Sequence, residues 1–344
     1  MERATQISKL FLLLLCFTLL VCTWMKKQDT VQEEEINVQE TDYSTIFTVI
    51  VEEEKGTHSY NPEKVIGYMM ATLSSFSLFQ EAYENSSQFW QAMAIVCRTN
   101  LVKHWEMEGR PKEMIFPTDK LPIASNDYFR RRENVRELVD AAQATTGIVL
   151  TYHGETIEAP FFYLSAGTTR NATEGGGEYP YLQAKMCIAD LENTVCISRQ
   201  YYKKEEFFST LLSECPVGND ISEEILVALS LENITLTKEE TGYVKSVSFC
   251  FDPNFDNDFN KNDTYVTNEI TLSAETVQGL FSLPSVHFAL ETYEEGEKIG
   301  IVCNGIGHGY GLSLNYAEIL AKEGHTYDEI LSFFYTDIDF AKKW

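Results

Sequence analysis

Residues 305–335 read GIGHGYGLSLNYAEILAKEGHTYDEILSFFY, a stretch that changes character twice. Gly305, Gly307, Gly309 and Gly311 alternate with Ile306, His308 and Tyr310, so the backbone there can approach a ligand or a second segment closely. His308 in their midst can donate or accept a proton near neutral pH. The loop is a poor phosphate cradle, because no Lys-Ser/Thr pair trails the glycines. A helix is expected around Ala317–Glu323, stopped by Gly324. Thr326 and Glu329 then stand as a capping box and open a last helix reaching about Tyr335.

Upstream, strand and helix signals are mixed rather than regularly alternating. Thr45–Glu52 (TIFTVIVE) is β-branched and aromatic and reads as the first strand. Asn61 is placed as an N-cap with Pro62 at the first helical position, and Val65, Ile66, Met69, Met70 and Leu73 recur at helical spacing. A second helix begins at Ser86 or Ser87, with Phe89, Met93, Val96, Cys97 and Leu101 on one face; Arg98 lies off that stripe, free to point into a cleft. A third, Glu133–Ala144, is ended by Gly147. Ile148–Tyr152 and Thr156–Leu164 read as strands joined at His153-Gly154, and Val244–Phe251 and Glu269–Leu272 alternate as strands do. The fold class is α+β, with mixed helices and mostly antiparallel strands.

Of 344 residues, 27 are Lys or Arg and 52 are Asp or Glu, a net charge of −25, while 44% are hydrophobic and 12% aromatic. That is a globular composition, and it excludes a general nucleic-acid binder, which must neutralise phosphates with clustered cations. The basic run Arg130–Arg132 reads as a solvated turn. Leu10–Trp24 is an almost uninterrupted apolar run flanked by Arg3 and Lys9 before it and Lys26 and Lys27 after it. It reads as a membrane anchor or signal segment, with the anchor preferred, placing the remainder on the extracytoplasmic face. Residues 1–27 are thus the anchor or signal segment, 28–44 an acidic linker and 45–344 the folded domain.

Six cysteines lie beyond the apolar run. Cys187 and Cys196 are the closest pair able to close a small loop, and Cys97 reads as a buried free thiol. No CxxC, HxH or HExxH spacing occurs, so neither a metal site nor a cofactor is expected. Asp252, Asn254, Asp256 and Asp258 alternate like calcium-loop ligands, but Asn257 and Asp263 stand where an EF-hand has Gly and Glu. With sequons at Asn85, Asn171, Asn233 and Asn262, these residues keep a secreted adhesion or calcium-binding protein as an alternative.

Several segments together resemble the stage II sporulation protein D and amidase-enhancer family of cell-wall proteins. They are Pro62–Leu73 (PEKVIGYMMATL), Ala92–Asn100 (AMAIVCRTN), Thr146–Thr151 (TGIVLT), Ile157–Thr169 (IEAPFFYLSAGTT) and residues 305–335, and they span the whole region after the linker. The resemblance implies a domain built around a substrate groove and a lytic transglycosylase acting on peptidoglycan glycan strands stripped of stem peptides. In that chemistry one carboxylic acid of raised pKa protonates the glycosidic oxygen. It further implies substrate contacts from Arg98, Ser165, Gly167, Thr169, His308, Gly309, Gly311 and Ser313. Implied partners are a cell-wall amidase and membrane proteins of a sporulation complex, in the space between mother cell and forespore.

The chain departs from the pattern where chemistry is expected. Leu73, or Thr72 with a one-residue slip, stands at the position of the catalytic Glu, and neither can transfer a proton. Glu81 and Glu84 lie in a longer stretch that follows and are the weak candidates for a relocated acid. Leu314 and Met93 replace two family glutamines, and no Cys-His zinc region lies between Lys103 and Arg132. The expectation is a glycan-binding or amidase-activating member with weakened or lost catalysis, the alternative an active transglycosylase using a relocated Glu.

Overall fold

In the computed structural model Asn61 caps the first helix, its Oδ1 accepting the Lys64 N–H at 2.8 Å, with Pro62 in the first turn. The structure describes residues 47–53, 56–74, 87–118, 121, 135–173, 179–213, 229–251 and 268–344. All belong to one compact unit, Tyr43–Trp344. No helix among them is long and apolar enough to cross a membrane. The apolar run at residues 10–24, the acidic linker, Glu81, Glu84 and the acidic loop 252–267 lie outside the described residues.

Strands β1 (Thr48–Glu53) and β2 (Gly56–Tyr60) form an antiparallel hairpin ahead of helices α1 (Pro62–Leu73) and α2 (Ser87–Met107). Strand β3 (Glu113–Ile115) runs parallel to β1, and α3 (Val135–Ala144) leads into the hairpin β4 (Ile148–Tyr152) and β5 (Glu155–Thr156). His153 and Gly154 both take positive φ, 51° and 82°, the conformation a two-residue hairpin turn requires. The expected strand 156–164 breaks there: only β6 (Phe161–Phe162) follows, paired elsewhere.

The second half alternates strands and short helices: β7 (Ile197–Lys203), α4 (Lys204–Leu212), β8 (Ile234–Lys238), β9 (Val244–Phe251), β10 (Asn268–Ser273), α5 (Ala274–Phe281), β11 (Phe288–Tyr293) and β12 (Lys298–Asn304). Two antiparallel sheets result, ordered β10-β9-β8 and β11-β12-β7. The chain closes with β13 (Leu312–Ser313), α6 (Leu314–Lys322), α7 (Tyr327–Phe334) and β14 (Asp339–Lys342), the last pairing with β4. The fold is α+β with mostly antiparallel strands.

Two cores result. One gathers α1, α2, α3, β4, α6 and α7, the other α4, α5 and the inner faces of the two later sheets. Helix α2 is the axis of the first and is apolar nearly all round: Phe89, Trp90, Met93, Ile95, Val96 and Leu101 are all sealed from solvent.

That burial corrects the reading of Arg98. The residue lies off the apolar stripe, yet it is 0% exposed and points into the helical core. Its guanidinium grips Glu63 of α1 through Nε and Nη2, both at 2.8 Å, and donates to the carbonyls of Ile148 and Ala142, each at 3.1 Å. Glu63 Oε1 also accepts the Gly147 N–H at 3.2 Å and the Trp344 indole at 2.9 Å. One carboxylate therefore joins α1, α2, the turn after α3 and the chain's last residue.

The cysteines change as well. Cys97, Cys187, Cys196 and Cys303 are buried and free, so Cys187 and Cys196 are not bridged. Cys196 Sγ faces the Ser165 carbonyl at 3.6 Å and Cys187 Sγ the Lys185 carbonyl at 3.6 Å. Burial pushes the Cys97 thiol up to about 12, which keeps it protonated and inert.

Glu63→Gln leaves the Arg98 charge buried without its counter-ion. Urea denaturation is expected to show a loss of roughly 3–5 kcal/mol, the cost of breaking a buried pair on one side. A loss below about 1 kcal/mol, the scale of an exposed pair, would refute this role for the contact.

Candidate functional site

The turn Ser165–Thr169 and the loop Gly305–Gly311 come from distant parts of the chain and are sewn together. Strands β6 and β13 pair in parallel, Phe161 beside Leu312 and Phe162 beside Ser313. Leu164 and Ile306 exchange backbone hydrogen bonds at 3.1 and 2.8 Å, and the Arg170 N–H donates to the Gly309 carbonyl at 2.8 Å. Gly311 takes φ +75°, and a Cβ there would collide with the Pro160 carbonyl, so both conformation and space demand glycine.

Asp190 locks this junction from inside. It sits in the 3-10 turn Ile188–Glu192 and is wholly buried. Its Oδ2 accepts the Ser165 N–H at 2.9 Å and the Ser313 hydroxyl at 2.7 Å, while Oδ1 accepts the Asn315 amide at 2.8 Å. Asn193 donates in turn to Asn315 Oδ1 at 2.8 Å. A buried carboxylate is tolerable only when so fully bonded.

Arg170 secures the other flank. It is 6% exposed, donates from Nε to Glu239 Oε1 at 3.0 Å and reaches Glu275 at 3.6 Å. Its guanidinium lies 4.3 Å from the Tyr310 ring centre and 5.6 Å from that of Tyr243, an arrangement that favours the cation. Although burial works against it, bonding to Glu239 makes the Arg170 guanidinium hold its proton more tightly than an ordinary arginine.

Of the expected substrate contacts, Ser165, Gly167, Thr169, Gly309, Gly311 and Ser313 are buried and build the junction itself. Gly167 donates its N–H to Ser165 Oγ at 3.2 Å, and Thr169 Oγ1 accepts the Lys185 N–H at 2.9 Å. His308 is the exposed side chain of the set. Its Nδ1 accepts the Tyr310 N–H at 3.1 Å, which leaves Nε2 protonated and donating to the Phe161 carbonyl at 3.1 Å. Phe162 and Tyr310 lie against the imidazole, with ring centres 5.6 and 6.2 Å away. The arrangement presents a neutral ring, aromatic edges and backbone polar groups, suited to hydrogen bonding and stacking.

Arg98 takes no part in this cluster, since its partners belong to α1, the end of α3 and β4. At the expected acid position Leu73 is 3% exposed, and the Thr72 hydroxyl donates to the Tyr68 carbonyl at 3.1 Å. Among the described residues no three His, Cys, Asp or Glu side chains are grouped to hold a metal ion. Asp190, Arg170 and Tyr310 were not singled out by the sequence reading. Asp190 follows the short apolar pair Ile188-Ala189, Arg170 comes directly after the Ser165–Thr169 turn, and Tyr310 is one of the residues between the loop glycines, but nothing local set any of the three apart.

The His308 ring is open to solvent on one side, but the protein packed around its other side, together with the nearby Arg170 charge, holds the imidazole below its ordinary value against the pull of the Phe161 carbonyl; burial does the same to His287. Both groups bind protons less readily folded than unfolded, so stability falls as pH drops through the ordinary histidine range near about 6.5. Urea midpoints measured from pH 7.5 to 5.5 should decline, and His308→Gln should flatten part of that slope. An unchanged slope would contradict the assignment.

No protein-family model matches the chain. It is similar to two proteins named stage II sporulation protein D. That of Bacillus subtilis (strain 168) is 27% identical over 202 residues, 58% of this chain and 50% of that protein. That of Bacillus amyloliquefaciens is 25% identical over 264 residues, 73% of this chain and 68% of that protein. The match thus spans about half the length of the first of these relatives. Order of segments, shared loop residues and this similarity agree: the chain is a divergent relative of stage II sporulation protein D.

Proposed function

We propose that the chain is a sporulation cell-wall protein that holds peptide-free peptidoglycan glycan strands at the His308 loop without cleaving them efficiently. The observation that carries this reading is the pairing of an intact loop junction with a missing acid. Asp190, Ser165, Ser313 and Arg170 keep the loop rigid, while buried Leu73 or the backbone-bonded Thr72 stands where a proton donor is needed.

The two buried carboxylates of the junction are committed. Asp190 accepts three hydrogen bonds, and Glu239 is engaged by Arg170 and by the Thr241 hydroxyl at 3.2 Å. A weaker second reading, retained cleavage, draws support from Glu318 on α6, whose carboxyl burial raises above its ordinary value as a general acid requires. Against it, Glu318 is 5% exposed and paired with Lys322 at 2.8 Å. Attachment to the membrane through residues 10–24, on the extracytoplasmic face, and stimulation of a cell-wall amidase complete the proposal.

Incubation with peptide-free glycan strands tests it. Co-sedimentation is expected, with few or no anhydro-muramyl ends, and with binding weakened in His308→Ala. Abundant anhydro-muramyl ends that disappear in Glu81→Gln, Glu84→Gln or Glu318→Gln would establish the relocated acid instead.

A further inference from the structure

Strand β7 reads ISRQYYK and forms one edge of the sheet β11-β12-β7. Its residues alternate in exposure: Ser198, Gln200 and Tyr202 turn inward, whereas Ile197, Arg199, Tyr201 and Lys203 are exposed on the outer face. Tyr201 is 52% exposed. Register places Tyr201 opposite Gly300 of β12, which in turn lies opposite Glu291 of β11.

Gly300 is what makes this face a platform. The Tyr293 ring lies on its backbone, in space that a Cβ would occupy, and the Tyr201 ring adjoins it. The two rings sit 5.0 Å apart at 83°, one forming a floor and the other a wall. Tyr293 donates its hydroxyl to Glu291. A hollow of about 750 Å³ lies beside β11, lined by Ser230, Leu231, Glu232, Leu290, Glu291, Thr292 and Tyr293, and shares Tyr293 with the platform.

Charge singles out the same face. Arg199 and Lys203 flank Tyr201 on its own strand, and neither has an ion-pair partner among the described residues. In a chain of net charge −25, two cations thus bracket an exposed aromatic. Arg98 and Arg170, by contrast, are buried and paired with carboxylates.

We propose that this outer sheet face is a second, non-catalytic binding platform for a carboxylate-bearing glycan. A sugar's C–H face packs on Tyr201 against the Tyr293 wall, and Arg199 and Lys203 take the carboxylate, Arg199 through its planar fork. The platform adjoins the His308 loop: Ile197 pairs with Asn304, the residue before Gly305, and Tyr201 lies four residues along the strand, about 13 Å away. A strand held at the loop can therefore continue across the sheet. The choice of muramyl-containing strands as ligand rests on the glycan reading above, whereas the platform's shape and charge do not.

The test uses the purified full chain, peptide-free peptidoglycan strands, which carry muramyl carboxylates, and chitin chains, which carry none. Tyr201→Ala is expected to weaken binding to both about tenfold, the scale of an aromatic anchor lost from a contact. Arg199→Ala with Lys203→Ala should weaken only the carboxylate-bearing strands and reduce the sensitivity of that binding to salt. If the wild type binds and His308→Ala impairs binding while Tyr201→Ala does not, the platform is refuted and the glycan reading stands. If the wild type binds neither polymer, both fall. If Tyr201→Ala leaves glycan binding intact but abolishes self-association in sedimentation, the face is a contact between copies and the proposal is wrong.

Discussion

One buried carboxylate organises the candidate site. Among the described residues Asp190 has no ion-pair partner, and it accepts a backbone N–H from the Ser165–Thr169 turn, a hydroxyl from Ser313 and an amide from Asn315. Hydrogen bonds to a charged group contribute about 1.5–3 kcal/mol each, and leaving the charge unbonded would cost more than any one of them. Turn and loop must therefore stay together for Asp190 to remain inside. Because Ser165 and Ser313 are 148 positions apart in sequence, 313 minus 165, this single contact fixes a long-range geometry that local propensity cannot.

The same logic explains how an acidic chain uses its cations. Arg98 and Arg170 are both buried, each matched to a carboxylate, and each joins elements from distant parts of the chain. The first pair ties the helical core to the chain's end, and the second ties the turn, the His308 loop and the β8–β9 connection. The loop leaves β12, part of the sheet core, at Asn304 and enters the helical core at Leu312, so the site lies where the two cores are linked. Buried polar groups hold the junction together, and His308 is left as the exposed side chain of the loop.

Much of this was legible in the sequence. Asn61-Pro62, the His153-Gly154 turn, the Thr326–Glu329 cap and the glycine loop are local signals, each read by physics that acts within a few residues. The Thr326 N–H indeed donates to Glu329 at 3.0 Å. What the sequence hid is set by packing. Periodicity marked Arg98 as off the apolar stripe, but residues 92–99 of helix α2 are all buried, so an off-stripe position there means another interior contact. Periodicity also could not separate residues that touch a ligand from residues that hold the loop: Ser165, Thr169 and Ser313 are framework because Asp190 and Lys185 claim their polar atoms, and neither partner is near in sequence. The strand expected over 156–164 ends early because its second half pairs with β13 instead of continuing the hairpin.

The clamp by Asp190 is the central physical claim, and hydrogen exchange of Asp190→Asn tests it directly. The substitution keeps size and one acceptor but removes the charge. The account predicts that amides of residues 165–169 and 305–313 lose protection while those of α2 and β4 retain theirs, because only the junction depends on the carboxylate. Protection across residues 305–313 equal to that of the wild type would contradict it.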